Sequence, residues 1–123
     1  ETTGHYNEIK RRCNAWLKEF EGGKHLDRCH WILCYQSRVG RVEWTKPYTD
    51  ATIEELGKSR GGHLLLFPVS FTSDHIETLY EMDVTYKEQA LECGFTSYQR
   101  VLAANTDSKF TQCLKDILIQ HGF

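Results

Sequence analysis

Two hydrophobic periods share the chain, one of about 3.6 residues and one of about 2, and their order predicts its elements. From Glu8 onward, Ile9, Cys13, Trp16, Leu17 and Phe20 recur at i, i+4, i+7, i+8 and i+11, which predicts an amphipathic helix. Glu21-Gly22-Gly23 ends it, and residues 1–7, which are polar, read as irregular. His30-Trp31-Ile32-Leu33-Cys34-Tyr35 is rich in aromatic and branched side chains and reads as a strand. Residues 36–49 form a long loop, after which Thr49 or Asp50 caps a short helix through Leu56. The apolar run Leu64-Leu65-Leu66-Phe67-Pro68-Val69 fits a buried parallel strand. Ser73 is placed to cap a long helix reaching about Cys93, which Gly94 closes. Tyr98-Gln99-Arg100-Val101-Leu102 reads as a third strand. Ala104-Asn105-Thr106-Asp107 then turns into a last helix with Phe110, Cys113, Leu114, Ile117 and Leu118 on one face.

The resulting order, α-β-α-β-α-β-α, predicts a single α/β domain over residues 1–123. Its sheet is parallel, with helices on both faces to make three layers. A parallel sheet of three strands that opens on a helix looks like part of something larger.

Charge and cysteine usage narrow the partners. Fifteen basic residues stand against 17 acidic ones, a formal net of −2, with no run of like charges. A basic footprint for nucleic acid is missing, so no nucleic-acid partner is expected. The longest apolar run is far short of the ~18–20 residues of a membrane span, and no signal peptide opens the sequence. Cys13, Cys29, Cys34, Cys93 and Cys113 are odd in number and show no ligand spacing. That pattern gives little support to a zinc or iron–sulfur site and suits a reduced, cytosol-like compartment.

The candidate chemistry gathers where the central apolar run ends. Open α/β sheets place their sites just beyond strand carboxyl ends. At about 100° per residue, Asp74, Glu77 and Glu81 fall within about 60° of one another, headed by His75. Ile76, Leu79, Tyr80, Met82 and Tyr86 occupy much of the other side. One reading is a solvated face with acids suited to the helix dipole. The other is a path for a divalent metal, because carboxylates and one imidazole suit ferrous iron and a stripe suits an ion in transit. No Gly-rich phosphate loop, nucleophile elbow or HExxH helix is present.

Three stretches tip that balance. PVSFTSDHIETLYEMD (residues 68–83) closely resembles the signature of ferrochelatases. Gln36-Ser37-Arg38-Val39-Gly40-Arg41, with Trp44 and Pro47-Tyr48-Thr49-Asp50, is similar to a second motif of that family in its bacterial form. Asn105-Thr106 matches a third. Three motifs in the right order, from about residue 30 to residue 123, are unlikely to coincide.

The resemblance implies a Rossmann-like, chelatase-like fold and the C-terminal lobe of a two-lobe enzyme whose N-terminal lobe would lie before Glu1. It implies insertion of ferrous iron into protoporphyrin IX to make protohaem, the last step of haem biosynthesis. Iron is then a substrate, and no prosthetic group or iron–sulfur cluster is expected. By resemblance His75 and Glu77 are catalytic and metal-binding, and Asp74 and Glu81 continue the metal path. Gln36, Ser37 and Arg38 serve the substrate, with Arg38 on a propionate, and Trp44 stacks on the macrocycle; a salt bridge for Arg38 and a loop anchor for Trp44 are the plainer alternatives. On a regular helix His75 and Glu77 would point about 200° apart, so their joint use demands a widened first turn, and the family has a π-type turn there. Where the family often has a further acid, this chain has Thr85. The implied setting is the cytoplasm, with peripheral contact to the inner membrane as a further expectation. A stand-alone lobe that binds metal or tetrapyrrole without turnover, or a chelatase for another metal and tetrapyrrole, are the alternatives.

Overall fold

The structure is a computed structural model that describes residues 2–19, 29–36 and 43–122. The predicted helix stop at Gly22-Gly23 lies outside these residues, as do Phe20, Ser37 and Arg38. The chain divides into two compact units, Glu1–Thr52 and Ile53–Phe123.

In the first unit, helix α1 spans Thr2–Glu19. The segment read as irregular is therefore helical from Thr2 on. With no proline to block it, a formed helix extends backward at little cost, one hydrogen bond per residue fixed. Glu8 receives Arg11 at 2.7 and 2.8 Å and Arg12 at 2.6 Å, pairs that lie in water and contribute little. The predicted strand at residues 30–35 is reduced to one parallel bridge, Tyr35 to Tyr48. Tyr35 N–H donates to Pro47 O at 2.9 Å, and Thr49 N–H to Tyr35 O at 3.1 Å. The ladder cannot run on, since Pro47 has no N–H and Thr49 opens helix α2, Thr49–Ser59.

The second unit is a β-α-β arrangement. Strands β1 (Gly62–Leu66) and β2 (Phe95–Arg100) are parallel neighbours, with Leu64 opposite Tyr98 and Leu66 opposite Arg100. Helix α3 connects them and changes winding on the way: Glu77–Tyr86 is π-helical and Lys87–Cys93 is α-helical. Helix α4, Ser108–Gln120, starts at Asp107, whose side chain accepts from the N–H groups of Lys109 and Phe110. The class is α/β with a parallel sheet, as the alternation predicts. Among the described residues the sheet has two strands, and β2 lies earlier than the predicted third strand.

Met82, Tyr86 and Ala90, each four residues apart on α3, build the core with Ile53 and Phe95; Leu56, Leu64, Leu66, Phe71 and Tyr98 pack against it. Gly57 of α2 touches the end of α3, where a Cβ would lie 2.7 Å from Cys93 Cβ. Gly94, at φ +116°, closes α3 in the left-handed region. Three expectations of burial fail. β1 alternates, with Leu64 and Leu66 half-buried and Leu65 exposed, so it is covered on one face only. Ile76, Leu79 and Tyr80 are exposed. Helix α4 has no buried residue, although Phe110 is half-buried. No helix among the described residues is long and apolar enough to cross a membrane.

Candidate functional site

Loops that follow parallel strands meet at the carboxyl edge of the sheet, and here two of them are tied together. Val101 N–H donates to Leu66 O, and Asn105 N–H donates to Thr72 O, both at 2.9 Å. Asn105 sits at φ +49°, a left-handed conformation that asparagine tolerates better than most residues. That turn aims its side chain at Asp74. Asn105 Oδ1 accepts the Asp74 N–H at 2.8 Å, and Asn105 Nδ2 donates to Asp74 Oδ2 at 2.8 Å. Arg100 Nη1 donates to the other carboxylate oxygen, Oδ1, at 2.7 Å. Helped first by the Asn105 contact and then by Thr78 and Arg100, against the opposing effect of burial, the Asp74 carboxyl is held down at about 2.

Arg100 is the hub of this edge. Its side chain is 1% exposed, and Nε and Nη2 form a two-pronged pair with Asp83 at 2.7 Å each. The Asp83 contact is the main reason its pKa rises still further, and Asp74 adds to it. A buried guanidinium is tolerated only when its donors are met, and this one ties β2 to both the loop and helix α3.

His75 lies just ahead of α3, so the helical wheel does not govern it. Its backbone N–H donates to Thr78 Oγ1 at 2.9 Å, and the Thr78 hydroxyl donates back to His75 O at 3.0 Å. Thr78 is fully buried. This exchange, rather than the expected Ser73 cap, closes the helix start, because the first turn begins three residues later than the cap rule placed it. The imidazole stands edge-on to Phe71, with centroids 4.4 Å apart. Its Nδ1 accepts the Glu77 N–H at 3.2 Å, so the neutral ring carries its proton on Nε2.

Glu77 is the first π-helical residue. The widened winding expected of the first turn is present and runs for ten residues. Its i→i+5 bonding brings residues four and five apart into rough register, where α-helical winding would spread them. Glu77 and Glu81 are both half-buried, and Tyr86 Oη donates to Glu81 Oε1 at 2.9 Å. A second, half-buried phenol also bonds the widened stretch, since Tyr98 Oη donates to Met82 O at 2.7 Å. Burial, with the Asp83 charge behind it, pushes the Tyr98 pKa up and keeps it a donor. Thr85 is exposed.

The structure thus gathers His75, Glu77, Glu81 and Asp74 around one helix start, with Asp74 turned into the Arg100 clamp. No group of three or more His, Cys, Asp or Glu side chains among the described residues is close enough to cage a metal ion. In the first unit, Trp44 is 39% exposed and its Nε1–H donates to Gln36 O at 2.9 Å, which fits a loop anchor while leaving ring surface in solvent. Sequence reasoning missed Arg100, Asp83, Thr78 and the Tyr86 hydroxyl. An arginine closing strand β2, at the carboxyl edge where sites gather, was the one usable signal.

A family model described as Ferrochelatase matches residues 3–122. The ferrochelatase of Synechococcus sp. (strain WH7803) is 50% identical over 86 residues, covering 70% of this chain and 22% of that protein. The ferrochelatase of Prochlorococcus marinus (strain MIT 9515) is 46% identical over 89 residues, 72% of this chain and 23% of its own length. The chloroplastic ferrochelatase-2 of Arabidopsis thaliana is 51% identical over 90 residues, 73% and 18% respectively. The chain therefore spans about a fifth of the length of the curated relatives it matches.

Proposed function

Because the chain belongs to the ferrochelatase family, we propose that it supplies the metal-delivering helix of an enzyme that inserts ferrous iron into protoporphyrin IX. The observation that carries this reading is the π-wound start of α3, which sets Glu77 and Glu81 one turn apart behind His75. Insertion exchanges two pyrrole N–H protons for one iron ion, so the site needs a base beside the macrocycle and a supply of weakly held metal. Glu77 accepts protons or ligates iron, and Glu81 is the next station along the row. His75 orients Glu77, since its Nδ1 already holds the Glu77 backbone; ligation through Nε2 would require that nitrogen to shed its proton. Both Asp74 oxygens are engaged by Arg100 and Asn105, so in this proposal Asp74 takes metal only when that clamp opens. Iron and porphyrin enter as substrates, and no prosthetic group is invoked.

A chain about a fifth as long as its relatives supports the further proposal that another lobe completes the enzyme. The roles of Gln36, Ser37, Arg38 and Trp44 toward the porphyrin belong to the proposal on the resemblance of their motif. The test is made in the intact protein carrying this chain. Glu77→Gln should remove most iron insertion while porphyrin binding, followed by fluorescence, is retained. Unchanged turnover in that variant would overturn the proposal, and porphyrin and metal binding without any turnover in the unmodified protein would establish the binding-lobe alternative instead.

A further inference from the structure

Tyr86 is a core residue, 6% exposed, whose ring is fixed among Ile53, Met82, Ala90 and Phe95. Its hydroxyl nevertheless leaves the core and donates to Glu81 Oε1 at 2.9 Å. Residues five apart do not face each other in an α-helix, where they lie about 140° round the axis. They meet here because the π winding sets i+5 nearly over i. The widened helix therefore does more than align acids on its outer side. It delivers a rigid donor from the core to one oxygen of one carboxylate.

We propose that Tyr86 is the positioning residue of Glu81: by holding Oε1 it sets the direction in which the carboxylate meets a divalent cation passing along the row. The proposal rests on the reading of Glu81 as a metal station. A glutamate side chain has several rotamers, and holding metal costs it that freedom. A hydrogen bond from a packed phenol removes the freedom beforehand, as outer partners of ligating carboxylates do at resident metal sites.

The experiment is a double-mutant cycle on cobalt(II) affinity, measured by calorimetry on the intact protein carrying this chain, with Tyr86→Phe, Glu81→Gln and the two combined. Phenylalanine keeps the ring in the core and deletes only the donor. Tyr86→Phe should weaken cobalt about tenfold in the Glu81 background and have no effect once Glu81 is glutamine. In turnover assays it should raise KM for ferrous iron and leave KM for porphyrin unchanged. Tyr98→Phe, which removes the β2 hydroxyl that bonds Met82 O of the same helix, controls for a general loosening and should give equal changes in both backgrounds. Equal effects of Tyr86→Phe with and without Glu81, or no effect in either, would overturn the inference. Cobalt affinity unmoved by Glu81→Gln itself would instead sink the metal-station reading beneath it.

Discussion

Asp74 shows how far a single residue's role can be read from its neighbours in sequence. Its position at i relative to Glu77 and Glu81 placed it in the acidic row, whereas the structure sets it ahead of the helix with both oxygens engaged by Arg100 and Asn105. The partners that fix its use, Arg100 and Asn105, are 26 and 31 residues away and meet it only through the parallel crossover. Its carboxyl lies at about 2 against an ordinary 3.8, and a depressed acid stabilises the fold above its unfolded value. That contribution is complete above about pH 5 and is lost as pH falls from about 4 through about 2. Thermal melts at pH 6, 4, 3 and 2 should therefore show a loss for the native protein over the last steps. Asp74→Asn should start less stable at pH 6 and lose less across that window; a parallel decline would assign the acid sensitivity to other groups. Thr78 and the Tyr86 hydroxyl were hidden for a related reason, because a buried threonine and a core tyrosine look in sequence like ordinary packing.

At the scale of elements, the helices were the legible part. The period in residues 9–16 and the run beginning near residue 49 both found α-helices, and β1 and β2 fell within a few residues of where their apolar content put them. Strand 30–35 failed because apolar content cannot say whether a hydrogen-bonding neighbour exists, and one bridge is all that Tyr35 and Tyr48 form. The inner face assigned to α3 was half right. Met82 and Tyr86 are buried, but Ile76, which precedes the widened stretch, and Leu79 and Tyr80 within it are exposed; from Glu77 on a wheel drawn at α-helical pitch no longer applies. Residue spacing required the widened first turn only on the condition that His75 and Glu77 act together. Along its ten residues the widened stretch is contacted by Tyr98 at Met82 and by Arg100 at Asp83, partners on strand β2 that no local pattern reveals.

Across the whole molecule, exposure carries the main message. Leu114, Ile117, Leu118 and Ile119 of α4 each exceed 45% exposure, and Leu65 and Leu102 exceed 60%. Together with coverage of about a fifth of the relatives' length, this amount of open apolar surface is what the proposal of a completing lobe leads one to expect. A single wall can touch a flat porphyrin but cannot clamp it, and clamping provides the positioning that insertion draws on. The 123-residue chain by itself should therefore form haem no faster than iron and porphyrin do in buffer, as followed by the absorbance of the product. Joining it to the remainder of a ferrochelatase from a relative should bring turnover back. Brisk haem formation by the chain alone would mean that every catalytic group lies within it.

A π-helix holds more residues per turn than an α-helix of the same span, so its ladder can be reset by removing a residue. Thr85 is exposed and lies within that widened stretch. In genetic terms, an in-frame loss of its codon offers α3 a route back to ordinary winding: Tyr86 would then follow Glu81 by four residues, a spacing at which the two still face each other on an α-helix. Such a deletion should pass as a folding-neutral polymorphism in a melting assay, and a large drop in melting temperature would mean that the fold itself requires the wider winding.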